Sequence, residues 1–188
     1  MMLKGSERIA LINGESTISY NELLRQIGKY AGLYRIRKGD RVAVFSENRP
    51  EWIYAFYSAW ANRGISVPID FMSPSVDVRT LLEDSAPAVV FTSRACLNVL
   101  RSALENLRKK PRLFVFEEIR STAPVSLSEL CIGDPGAVAA ILYTSGTTGN
   151  AKGVMLTFDN LLASIEAITG LGMLTADDRM LAILPFHH

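Results

Sequence analysis

Tyr143-Thr144-Ser145-Gly146-Thr147-Thr148-Gly149-Asn150-Ala151-Lys152-Gly153 decides how the rest of this sequence is read. An apolar run over residues 137–142 leads into it, and Val154-Met155-Leu156 leads out. The stretch carries three glycines, four Ser/Thr hydroxyls and one lysine, and no acidic residue. Glycine admits the backbone conformations in which successive N–H groups converge, hydroxyls add donors, and lysine adds a point charge. Gathered between two strand-like runs, these groups make an anion cradle of polyphosphate size.

The plain alternative is a glycine-rich hairpin with a solvated lysine. Eleven consecutive residues that carry both the donors and the charge tell against it. The Walker A pattern, G-x-x-x-x-G-K-[ST], does not fit. Ala151 rather than Gly precedes Lys152, and Gly153 stands where a Ser or Thr would hold magnesium. A nucleoside triphosphatase of that type, releasing ADP, is therefore disfavoured.

Working outward, strand and helix patterns alternate. Residues 8–12 and 16–18 flank Asn13-Gly14, a type I′ hairpin signal. Ser19 opens a helix, with Glu22 completing a capping box worth about 1 kcal/mol. Leu23, Leu24, Ile27, Ala31 and Tyr34 give that helix one buried face. Residues 42–45 form a continuous apolar run, the mark of a strand buried on both faces of a parallel sheet. Pro50 starts an aromatic helix with Trp52, Ile53, Phe56, Tyr57 and Trp60, ended by Gly64. Those aromatics suit helix-to-sheet packing, with an acyl-chain channel or a membrane-facing surface as the alternatives. Strands over 65–69, 88–91, 112–116 and 137–143 alternate with helices beginning at Ser73-Pro74 and carrying Leu97, Leu100, Leu104 and Leu107. Residues 117–136 read as a long surface connection with at most one helical turn. Beyond the glycine-rich stretch come a strand over 154–157, a helix over 158–170 with Leu161, Leu162, Ile165 and Ile168 inward, and a last strand over 180–184. Asp177-Asp178 reads as a capping turn, since no third metal ligand lies near it in sequence. The expected fold is α/β: an open, mostly parallel sheet with helices on both faces, preceded by a small β-hairpin. In such sheets ligands bind beyond the carboxyl ends of the strands, where the glycine-rich stretch sits.

Bulk properties bound the partners. The 188 residues, 48% hydrophobic and 21% charged, suit one globular domain and argue against disorder. A formal net charge of +1 gives no electrostatic footprint for nucleic acid. Cys96 and Cys131 lie far apart without C-x-x-C spacing, so a reducing cytoplasmic setting is expected rather than a disulfide framework or a zinc site. No apolar run approaches the ~20 residues needed to span a bilayer, and no signal-peptide core is present at the start.

Residues 143–154 resemble the Y-T-S-G-T-T-G-x-P-K-G-V signature of the AMP-forming acyl-CoA synthetases, with Ala151 in place of the family's proline. That change is expected to loosen the stretch by about 0.4–1 kcal/mol of chain entropy without removing a donor. The likeness covers the whole chain. Ser19-Tyr20-Asn21-Glu22-Leu23 is similar to the family's first-helix start, and Gly39-Asp40-Arg41-Val42-Ala43 to its first parallel strand. Ser46-Glu47-Asn48-Arg49-Pro50-Glu51-Trp52 is similar to the long-chain fatty-acid branch, and Leu184-Pro185-Phe186-His187-His188 to the L-P-x-x-H element. A terminal His-His also has the form of an affinity-tag remnant; the preceding Leu-Pro-Phe favours the motif. Phe158 stands where many relatives have His, and Asn160 is retained.

The resemblance implies an acid–thiol ligase that activates a carboxylate, of long chain on the 46–52 likeness, as acyl-AMP and passes it to coenzyme A. ATP, magnesium and coenzyme A are the implied cofactors and co-substrates. It implies that Thr144, Ser145, Gly146, Thr147, Thr148, Gly149 and Lys152 hold the phosphates, Thr144 being also the magnesium contact. Lys152 would neutralise developing charge, and His188 would border the acyl and adenylate site. Residues 1–188 correspond on this reading to the N-terminal part of the large AMP-binding domain, phosphate-binding but inactive without the C-terminal remainder of the chain. A homodimer is within reach, since a sheet cut short exposes edges that pair artificially. A non-catalytic nucleotide-binding or interaction module is the alternative from another class.

Overall fold

A computed structural model describes residues 2–120, 124–131, 134–144 and 151–187. The chain begins with β1 (Met2–Lys4) and a hairpin of β2 (Ile9–Asn13) and β3 (Ser16–Ser19), followed by α1 (Tyr20–Gly32) and β4 (Arg41–Phe45). Then come α2 (Pro50–Ala61), β5 (Ile65–Ile69), α3 (Ser75–Ser85), β6 (Val89–Thr92), α4 (Leu97–Leu104) and β7 (Arg112–Val115). A short β8 (Glu129–Cys131) precedes β9 (Val138–Thr144), β10 (Lys152–Thr157) and α5 (Phe158–Gly170).

Among the described residues the main sheet has six strands in the order β10-β9-β5-β4-β6-β7. All neighbours run parallel except the antiparallel pair β9–β10. Residues 42–45 of β4, between β5 and β6, are fully buried, as the unbroken apolar run demands. Alternate residues serve opposite faces: Val42 and Val44 join the cluster under α1 and α2, Ala43 and Phe45 the cluster under α3 and α4. The expected open parallel sheet with helices on both faces is what forms.

Five local expectations change. Asn13 pairs with Ser16, so the hairpin loop is Gly14-Glu15, and only Gly14 takes positive φ (58°). A type I′ turn needs positive φ at both central residues, so this is a glycine-first turn instead. At α1, the Ser19 hydroxyl accepts from the Glu22 N–H, but the Glu22 carboxylate turns to Arg25 and Gln26, leaving the box half made. The complete box lies at α5, where Thr157 and Asn160 cap each other reciprocally. Within 117–136, β8 pairs antiparallel with β1, a contact between chain segments too distant for local patterning to reveal.

The fourth and fifth changes fall near the chain end. Residues 180–184 form no strand, and Met180, Leu181, Ile183 and Leu184 stay exposed. A strand needs a partner edge to satisfy its backbone, and none of the described strands lies beside them. In α5 only Phe158 is fully buried and Leu161 and Leu162 partly so; Ile165 and Ile168 face outward because only the first turns lie against the core.

The aromatic helix α2 supplies packing. Trp52 and Trp60 are buried, Trp60 lying edge-on to Phe158 at 5.0 Å. The buried indole Nε1–H of Trp60 donates to the Ala139 carbonyl at 2.9 Å and ties α2 to β9. Trp60→Phe keeps most of the ring packing but orphans that carbonyl, which should cost about 1–3 kcal/mol. Chemical denaturation of the two proteins, followed by circular dichroism, checks this; equal midpoints would refute the tie.

Candidate functional site

The carboxyl ends of β4, β5 and β9 deliver residues 46–48, Asp70 and Thr144 to one edge of the sheet. Thr144 ends β9, Lys152 begins β10, and the two are directly opposed in register. Both are exposed. A hydroxyl and a cation thus stand together at the mouth of the hairpin that carries the glycine-rich stretch. Ser145, Gly146, Thr147, Thr148 and Gly149, singled out in the sequence, lie outside the described residues, as does His188.

Tyr143 and Gly153 brace that mouth. They are opposed in register, and a Cβ on Gly153 would meet Ile141 Cγ2 at 2.9 Å and the Tyr143 ring at 3.2 Å. Glycine here lets the tyrosine ring lie across the strand. The phenol donates to Asp84 Oδ2 at 2.5 Å, and burial together with this bond pushes its pKa up.

Residues 184–187 approach the same edge. Asn48 Nδ2 donates to the Leu184 carbonyl at 2.8 Å, and the Phe186 N–H donates back to Asn48 Oδ1 at 2.8 Å. Phe186 packs on Trp52 with ring centroids 5.3 Å apart. His187 Nε2 lies 3.5 Å from Asp70 Oδ1, its side chain only 9% exposed, with the Phe71 ring beside it. Sequence reading chose His188 and passed over His187, Asp70 and Asn48. The signal for Asn48 was its place in the Ser46–Trp52 likeness, but its partners lie 136 and 138 residues away.

The loop that presents Asn48 is fixed on both sides. Glu47 Oε2 accepts from Ser93 Oγ at 2.6 Å, Ser46 Oγ at 3.1 Å and Cys96 Sγ at 3.6 Å. Burial works to raise this carboxyl, but those bonds outweigh it and hold it below the ordinary range. Burial first, and the Glu47 charge as well, push the Cys96 thiol up, so it is a packing group rather than a nucleophile. Arg49 pairs with Glu117 at 2.6 Å and Glu51 at 2.9 Å, its guanidinium lying 5.2 Å from the Phe116 ring centre.

Beneath Phe186 lies an apolar cavity of about 450 Å³, lined by Leu11, Trp52, Phe56, Leu142, Leu156 and Leu161 among others. The aromatics of α2 therefore both fill the core and wall an open apolar space. Asp178 caps its own turn, accepting from the Thr175 N–H and hydroxyl, whereas Asp177 pairs with the distant Arg8 at 2.7 Å. Phe158 packs inward on Trp60 and presents nothing to the site. Among the described residues no helix is long and apolar enough to cross a membrane.

Comparison with known proteins gives the family. The model of the AMP-binding enzyme family matches residues 3–188, and the chain belongs to that family. Human mitochondrial malonate–CoA ligase ACSF3 is 30% identical over 193 residues, covering 97% of this chain and 33% of that protein. A feruloyl-CoA synthase from Amycolatopsis sp is 28% identical over 186 residues, covering 95% and 36%. The o-succinylbenzoate CoA synthetase MenE from Bacillus subtilis, solved with the acyl-adenylate intermediate OSB-AMP, matches with a TM-score of 0.81 at 27% identity, covering 98% of this chain and 48% of that one. The same enzyme with ATP and magnesium ion matches with a TM-score of 0.78 at 25% identity, covering 98% and 49%. The chain thus spans about a third of the length of the curated relatives it matches.

Gly153→Val should lower stability by about 1–3 kcal/mol through overpacking against Ile141 and Tyr143. A double-mutant cycle with Tyr143→Ala reads the coupling: part of the loss should be recovered when the ring is absent. Strict additivity would show that the ring does not depend on the glycine.

Proposed function

We propose that this member of the AMP-binding enzyme family is part of an ATP-dependent acid–thiol ligase. A carboxylate oxygen attacks the α-phosphorus of ATP, the bond to pyrophosphate breaks, and acyl-AMP forms. The coenzyme A thiol then attacks the acyl carbon, AMP leaves, and the thiol proton passes to solvent. The carboxylate is already the nucleophile, so the first half needs placement and charge neutralisation rather than a general base. The observation that carries the reading is the register pairing of Thr144 with Lys152 at the mouth of the β9–β10 hairpin, on the carboxyl edge of the sheet.

Roles follow from that placement and from the family signature. Backbone amides and hydroxyls of Ser145, Gly146, Thr147, Thr148 and Gly149 hold the β- and γ-phosphates. Lys152 neutralises charge that develops on the leaving pyrophosphate. Thr144 is the hydroxyl assigned to magnesium, an ion that would supply further neutralisation of the phosphates. His188 borders the acyl site. Residues 1–188 are read as the N-terminal part of the large AMP-binding domain, which binds phosphate and forms no acyl-CoA without the remainder. A cytoplasmic setting belongs to the same reading.

Substrate class is the finer step. A long-chain fatty acid is supported only by the likeness of Ser46-Glu47-Asn48-Arg49-Pro50-Glu51-Trp52. The malonate, feruloyl and succinylbenzoate groups named for the relatives widen the field to short dicarboxylic and aromatic acids.

Pyrophosphate–ATP exchange by the uninterrupted reading-frame product, across acetate to palmitate with malonate, ferulate and o-succinylbenzoate, tests both levels. Exchange dependent on one acid class establishes adenylation and names the substrate; none with any acid, despite MgATP binding, favours the nucleotide-binding module. Lys152→Ala should slow adenylation by roughly 10²–10³-fold, the scale of losing one donor to developing charge. Thioester formation from supplied acyl-AMP should change far less. Equal slowing of both half-reactions would remove Lys152 from its role.

A further inference from the structure

Residues 178–184 have no regular structure, and Leu181 and Ile183 are 86% and 75% exposed. At Leu184 the chain is caught, and one side chain makes both hydrogen bonds that catch it. Pro185 has no N–H, so the groups that flank it are the Leu184 carbonyl and the Phe186 N–H. The Asn48 amide engages both, donating to the first and accepting from the second at 2.8 Å each. A carboxamide presents a donor and an acceptor side by side in one plane; a carboxylate can only accept and a hydroxyl cannot span both. Asn48 therefore acts toward this segment as a neighbouring strand would.

The clamp is rigid at its base. Glu47 before it is held by Ser93 and Ser46, and Arg49 after it by Glu51 and Glu117. What it holds is directed: Phe186 comes to rest on Trp52, and His187 beside Asp70. The segment thereby reaches the same edge of the sheet to which β9 delivers Thr144.

We propose that Asn48 is a positioning residue for adenylation: its amide fixes residues 184–187 over the carboxyl ends of β4 and β5, and so sets where the carboxylate substrate is received. This rests on the ligase reading above. The role belongs to the acid rather than to ATP, because the held segment stands apart in sequence from the phosphate-binding stretch and borders the cavity beneath Phe186.

The test uses the full-length protein, wild type against Asn48→Ala and Asn48→Asp. Pyrophosphate–ATP exchange is measured against acid and against MgATP, together with the thermal midpoint and hydrogen exchange in the peptide over 183–187. Asn48→Ala should lower kcat/KM for the acid by roughly 10–100-fold, the scale of an ångström misplacement, while KM for MgATP stays within about twofold. Hydrogen exchange in that peptide should quicken. Asn48→Asp keeps the acceptor for the Phe186 N–H but turns a carboxylate toward the Leu184 carbonyl, so it should not rescue the rate. An unchanged kcat/KM for the acid in both variants overturns the positioning role while leaving the ligase reading intact. So does a loss that falls equally on acid and MgATP and tracks a lower thermal midpoint. A wild-type protein inert with every acid overturns the ligase reading and this role with it.

Discussion

The double-sided burial of β4 sets the geometry on which everything else depends. A strand enclosed by β5 and β6 and covered by helices above and below has no polar neighbour to offer, so its backbone must be satisfied within the sheet. Parallel pairing does that, and it sends the carboxyl ends of β4, β5, β6, β7 and β9 to one edge, only the antiparallel β10 running the other way. Side chains that leave the strands there emerge where the hydrophobic layers stop and polar groups can gather. Ser46, Glu47 and Asn48 follow β4; Asp70 follows β5; Thr144 closes β9.

The loop after β4 shows how completely such an edge is used. Glu47 binds the end of β6 through Ser93, Asn48 binds residues 184 and 186, Arg49 binds Glu117, Pro50 opens α2, and Trp52 packs at a tilt against Phe186. Each of these residues answers to the scaffold of the edge rather than to a bound chain. A likeness over residues 46–52 therefore carries the architecture of this edge, where each of these contacts is made. The o-succinylbenzoate CoA synthetase MenE shares this fold.

Sequence patterns revealed the parts of this fold that are governed by local periodicity. The unbroken apolar run at 42–45 marked a buried strand, and the 3.6-residue spacing of Leu23, Leu24, Ile27 and Ala31 marked one helix face. What escaped was set by distant partners. Pairing of β1 with β8, the clamp of Asn48 on residues 184 and 186, and the approach of His187 to Asp70 each join segments with no periodic relation. The same limit works in reverse at 180–184 and at Ile165 and Ile168. There the apolar pattern was present, but periodicity says that a face is apolar, not that anything lies against it. Thr144 and Lys152 of the candidate site could be singled out because the glycine-rich stretch is contiguous, whereas the contacts that brace its hairpin could not.

Burial is also unevenly distributed, and the uneven part is the part that meets the nucleotide on the proposed reading. Around β4, β5 and β6 the side chains are enclosed on both faces, whereas β10 is an edge strand with Val154 and Met155 exposed, followed by a helix with one fully buried residue. Binding segments are drawn from the less stable regions of a fold, because they must open and close around a ligand at small cost. Such a segment still has to return to one geometry. Two side-chain contacts give β9 that memory: the buried Trp60 indole on the Ala139 carbonyl and the Tyr143 phenol on the exposed Asp84 of α3. They bracket the strand on either side of Leu142, so the loosely packed hairpin is hinged on a strand that is itself fixed. Thr144 and Lys152, the groups proposed to meet the phosphates, are therefore aimed at the carboxyl edge by a strand that the core holds in place.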